Sequence, residues 1–103
     1  MRKVTEQVMT AFIKGDSKSV GNTMTDGRIV WLHGNEIACR HDDGTIWVSL
    51  AGWPTVTTRE RLNGLATLLN STMHFYQRDW ETFVGKLTGD EPAEDYAWYC
   101  LPF

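Results

Sequence analysis

The stretch "GNTMTDGRIVWLHGNEIACRHDDGTIWVSLAGW", Gly21 to Trp53, decides the fold. Its apolar runs are separated by Gly34-Asn35 and Asp43-Gly44, pairs that favour tight hairpin turns whose geometry matches the right-handed twist of the strands they join. Turns at those pairs predict a three-stranded antiparallel meander over about 28–50. In the register that follows, Leu32 faces Ile37, Val30 faces Cys39 and Trp31 faces Ala38. On the other side Cys39 faces Val48, Ile37 faces Leu50 and Arg40 faces Trp47. One face then carries Val30, Leu32, Ile37, Cys39, Ile46, Val48 and Leu50, an aliphatic core face. The other carries Ile29, Trp31, Ala38, Arg40, Trp47 and Ser49.

Amphipathic segments flank the meander. Val4, Val8, Ala11 and Phe12 recur at helical spacing within Val4–Lys14, and Gly15 suits the left-handed residue that ends a helix. Thr57 and Glu60 form a capping-box pattern ahead of Leu62, Leu65, Ala66 and Leu69, which predicts a second helix over about Thr58–Leu69. "TMHFYQRDWETFVGKL" has strand composition with a polar break at Gln77-Arg78-Asp79, a second hairpin. The closing "YAWYCLPF" is an aromatic segment that must dock on the core. The reading is a single α+β domain over 1–103: N-terminal helix, antiparallel β-meander, second helix, C-terminal β-hairpin and aromatic tail.

Composition narrows the function classes. The chain has 103 residues, five of them Trp, 42% hydrophobic and 22% charged, as expected of one folded domain with a small core filled by large side chains. Net charge is −3, which speaks against a general nucleic-acid binder, because phosphate affinity rests on clustered Lys and Arg. The acidic excess is local: residues 62–103 hold two Lys/Arg against six Asp/Glu, chiefly in "GDEPAED". Cys39 and Cys100 form no CxxC and no secreted disulfide framework. No signal peptide opens the chain and no run approaches the ~20 apolar residues of a membrane span. The protein is therefore expected to work inside a cell.

Chemistry is sparse. His33, His41, His74, Cys39 and Cys100 lack the two closely spaced ligand pairs of a zinc site. No nucleophile elbow or phosphate loop is present, and Asp42-Asp43 reads as turn chemistry. The expectation is a non-enzymatic protein without metal or cofactor. Trp31, Arg40 and Trp47 are the candidate contact residues, since Trp and Arg dominate protein–protein hot spots and stacked aromatics also grip nucleotides. Two arrangements stay open: this face is exposed, or the second helix covers it as another core layer. If it is covered, Arg59 and Arg61 near a helix N-terminus become the next candidates, with Arg28 and Lys18 completing a basic patch.

The pieces "GNTMTDG", "LHGNEIA", "AGW" and "TTRERLN", within about Lys3 to Leu65, resemble a family of short, uncharacterised tailed-bacteriophage proteins. The resemblance implies expression in the cytoplasm of an infected bacterial host and brings no active site with it. Small phage proteins of this size often bind and block a host or defence component, so the expected function is stoichiometric inhibition of that kind, an anti-CRISPR or other anti-defence role. The alternatives are a protein that sequesters a nucleotide second messenger and a nucleic-acid-binding accessory protein.

Overall fold

Turn residues, more than strand residues, set the path of this chain. The computed structural model describes residues 1–103, in the order α1 (Lys3–Lys14), β1 (Lys18–Val20), β2 (Thr23–Thr25), β3 (Ile29–Leu32), β4 (Asn35–Arg40), β5 (Ile46–Val48), α2 (Val56–Leu68), β6 (His74–Arg78), β7 (Glu81–Gly85), β8 (Glu91–Pro92) and β9 (Tyr99–Cys100). The strands form an antiparallel six-stranded sheet, β1-β2-β3-β4-β5-β9, and a three-stranded sheet, β6-β7-β8. The α+β class and the helix–strand order match the sequence reading. The β1–β2 hairpin is additional: its turn is Gly21-Asn22, with Gly21 at φ 59.

The expected register is corrected on both sides of β4. The β3–β4 turn is His33-Gly34, one residue earlier than Gly34-Asn35, and both residues have positive φ (51 and 81). Leu32 therefore pairs with Asn35 and Trp31 with Glu36. A bulge then intervenes, so that Val30 pairs with Ala38 and Ile29 with Cys39. Because side chains alternate with a period of two, the one residue inserted at the bulge exchanges the faces of the rest of β4, Ala38 to Arg40. Ile37 and Ala38 are both buried as a result, and Arg40 turns inward while Cys39 turns outward. β5 continues the new register, with Ala38 opposite Val48, Cys39 opposite Trp47 and Arg40 opposite Ile46.

Both helices lie on the inner face. α1 rests on β1, β2 and β3 and buries Val8, Met9 and Phe12 completely, each contributing about 1.5–3 kcal/mol of apolar burial. α2 lies against α1, β4 and β6, bringing Leu62, Leu65 and Ala66 into the same core as Val30, Val48, Phe75 and Val84. The helices cross closely at Gly64, where a Cβ would collide with the Thr5 side chain. The capping box is not formed: Thr55 is the N-cap, its hydroxyl accepting from Thr58 N–H, while Glu60 turns toward α1. The aromatic tail docks in part. Tyr99 meets Phe75 edge-on and Leu101 is buried, but Trp98 and Phe103 remain exposed.

Candidate interaction face

With both helices inside, the outer face of the six-stranded sheet has no covering layer. Ladder pairing places Ile29, Cys39, Trp47 and Cys100 in one row across β3, β4, β5 and β9. A second row runs Ser19, Met24, Trp31 and Glu36 across β1 to β4. Every one of these residues is half-buried or exposed, whereas their inward neighbours Thr23, Thr25, Val30, Leu32, Ile46 and Val48 are buried. The arrangement in which the second helix covers Trp31 and Trp47 is thus overturned.

Trp47 is held in place on this face. Its Nε1–H donates to the Thr45 hydroxyl (3.0 Å), and the His41 ring stacks on it with centroids 5.3 Å apart. Thr45 is itself fixed by Asp43, which accepts from its N–H and its hydroxyl. Those two hydrogen bonds hold the Asp43 carboxyl below the usual carboxylate range. Burial pushes the Cys39 thiol up, and Glu36 adds to the effect. A raised thiol stays protonated near neutral pH and is a poor nucleophile or metal ligand.

Arg40 does not belong to the face. Its guanidinium reaches under the sheet, where Nη1 donates to the Gly27 carbonyl (2.6 Å) and Nη2 to the Phe12 carbonyl (2.8 Å), 4.7 Å over the Phe12 ring. It closes the C-terminus of α1, where carbonyls lack helical partners and the dipole favours a cation. The Trp31/Arg40/Trp47 cluster is therefore corrected to two Trp residues without the Arg, because the bulge reverses Arg40.

The second-choice basic patch also changes. Arg61 is only 3% exposed, with Nε donating to the Thr23 hydroxyl, Nη1 to the Thr5 hydroxyl and the Glu60 carboxylate, and Nη2 to the Asn22 side-chain oxygen. Arg59 sits at the first turn of α2 and donates to the Pro54 carbonyl and the Gln77 side chain. Arg28 is paired with Asp42, and Lys18 is exposed at the sheet edge. Sequence reasoning missed Arg61 as a core residue because its partners on α1 and β2 lie far away in the chain.

A second feature, also missed, occupies one end of the domain. A cavity of about 520 Å³ opens there between the β3–β4 turn and the start of α2, lined by Leu32, Ile37 and Leu50 below and His33, Trp53 and Thr57 at the rim. No group of three or more His, Cys, Asp or Glu side chains converges to hold a metal ion, and no helix is long and apolar enough to cross a membrane.

Fold and face define a small α+β domain with an open, aromatic sheet surface. The sequence model of the Kyanoviridae Gp96 protein family matches residues 1–100, so the chain belongs to this bacteriophage family. The match runs well past Leu65, so the acidic loop and most of the aromatic tail belong to the family pattern as well. No curated protein and no solved structure matches.

Proposed function

We propose that this phage protein acts without catalysis, by stoichiometric binding to a host or defence protein in the cytoplasm of the infected bacterium, as an inhibitor of that component. The observation that carries the reading is the uncovered sheet face, on which Met24, Ile29, Trp31 and Trp47 stand half-buried or exposed without a covering layer. Trp and Met are enriched where proteins meet, and truncation of a buried interfacial Trp is among the costliest single changes. A fixed sheet supports such contacts at little ordering cost, since Trp47 is already oriented by Thr45 and His41.

The test is affinity purification of the tagged chain from the infected host, beside a Met24→Asp/Trp31→Asp variant, with mass spectrometry of proteins and small molecules. The expected result is one host protein at near-equal stoichiometry, lost with the variant while its unfolding transition stays cooperative. A co-purifying nucleotide with no protein, turnover of a substrate by the pure chain, or unchanged capture by the variant overturns the proposal.

A further inference from the structure

Trp80 is 93% exposed, at the tip of the β6–β7 hairpin. The turn is Asp79-Trp80, between the paired Arg78 and Glu81, and both residues have positive φ (51 and 68). Two-residue turns of this kind favour Gly at the second position, because a side chain with a Cβ is strained there. A bulky indole held outward in that conformation serves neither the turn nor the core.

Trp80 and the cavity lie at the same end of the domain. β6 runs antiparallel to α2: Asn63 exchanges hydrogen bonds with the Phe75 backbone, and Arg59, one turn earlier, reaches Gln77. The hairpin tip therefore projects beside the first turn of α2, whose Thr57 helps line the cavity. Trp53 (60% exposed), Val56 (62%) and Tyr96 (78%) surround this end, and Tyr96 lies against Gly52.

A projecting side chain and an apolar-floored cavity side by side on one surface are what a two-fold axis needs for reciprocal contact, each copy supplying the knob for the other's hole. We propose that the protein forms an end-to-end dimer in which Trp80 of each copy enters the cavity beside Trp53 of the other. The cavity volume lies within the roughly 300–1,000 Å³ that binding pockets span. At about 150–250 Å² per aromatic side chain, the exposed apolar groups at this end supply roughly 500–600 Å² per copy. With a polar rim this comes close to the ~800 Å² per partner of a standard interface. The charges at this end are mixed in sign, Arg59 and Arg78 beside Asp79 and Glu81, with Asp95 next to Tyr96 adding a further carboxylate, a modest repulsion that physiological salt screens. The same carboxylates disfavour the anionic surface of a membrane. This contact is separate from the open sheet face, so either proposal survives the failure of the other.

The test is sedimentation velocity of the full chain from about micromolar to about millimolar concentration, comparing wild type with Trp80→Gly and Trp80→Asn. Gly and Asn both tolerate positive φ, so the hairpin is expected to survive with an unchanged or higher thermal midpoint for the monomer. The expected result is a concentration-dependent dimer whose dissociation constant rises about thirty-fold or more in both variants. Thr57→Arg, at the cavity rim, is expected to weaken it as well. A wild-type chain that stays monomeric throughout, or a dimer that both Trp80 variants retain, overturns the proposal. Should Trp80→Gly fail to fold, the Trp80→Asn result decides.

Discussion

Replacing Arg61 by Met tests the most concentrated polar cluster in the core. Arg61 is 3% exposed, and its guanidinium uses all three nitrogens, on the side chains of Thr23, Thr5, Glu60 and Asn22. Met approximates the stem and restores some packing, but supplies no donor. Removing one member of a buried ion pair costs about 3–5 kcal/mol, mostly through the group left unpaired. Glu60 keeps some solvent contact and its hydrogen bonds from Thr5 and the Arg2 N–H, which places the expected loss at the lower end, about 3 kcal/mol. For a domain of this size that is a fall in thermal midpoint of roughly 12–24 °C. Arg61→Lys should also destabilise substantially, because a single nitrogen cannot span Thr23, Glu60 and Asn22 at once. Urea unfolding followed by far-UV circular dichroism and Trp fluorescence reads the change as a lower midpoint at constant slope. A loss below about 1 kcal/mol for Arg61→Met would show that the network adds nothing beyond packing, and would refute the reasoning.

Acid should weaken the same cluster. Burial pushes the Glu60 carboxyl up, but hydrogen bonds from the Thr5 hydroxyl, the Arg2 N–H and the Arg61 guanidinium outweigh it and hold the group below 4.5. A folded value below the unfolded one means stability that is present above about pH 4.5 and lost as pH falls through the folded value. Glu60→Gln should therefore flatten the acid limb of a stability–pH curve, and an unchanged limb would contradict this. Arg40→Met should cost about 1–3 kcal/mol by uncapping α1 and stripping charged hydrogen bonds from the Phe12 and Gly27 carbonyls. Faster amide exchange in the last turn of α1 is the local signature; protection equal to wild type would show the cap to be inert. Cys39→Ser should change stability by less than about 0.5–1 kcal/mol, since the outward-facing thiol makes way for a hydroxyl that water can reach. A larger loss in chemical denaturation would restore Cys39 to the core.

The helices, the meander and the second hairpin were legible because they rest on local signals. Apolar spacing marks Val8 and Phe12 on α1 and Leu62 and Leu65 on α2, and Gly15 ends α1 at φ 80 as its position suggests. The first hairpin was not read: Gly21-Asn22 lies between "KSV" and "TMT", and three-residue strands leave too little periodicity to mark it. Register was not legible. Gly34-Asn35 and His33-Gly34 are both acceptable two-residue turns, and the choice between them moves every pair in the ladder.

What the sequence determined by itself was the order of the main elements and the facing of β3 and β5, with Val30, Leu32, Ile46 and Val48 inward and Trp31 and Trp47 outward, since both follow from neighbours a few residues apart. The bulge at Ile37, by contrast, follows from the need to bury Ile37 and Ala38 together beneath the helices, a requirement that exists only once α1 and α2 share one side of the sheet. That tertiary choice sends Arg40 inward to cap α1, seats Arg61 among residues nearly forty to sixty positions away in the chain, and leaves Trp31 and Trp47 uncovered. The physical reason is one of range: turn and helix preferences act over a few residues, whereas the side of a sheet that a helix covers is decided by burial summed over the whole core.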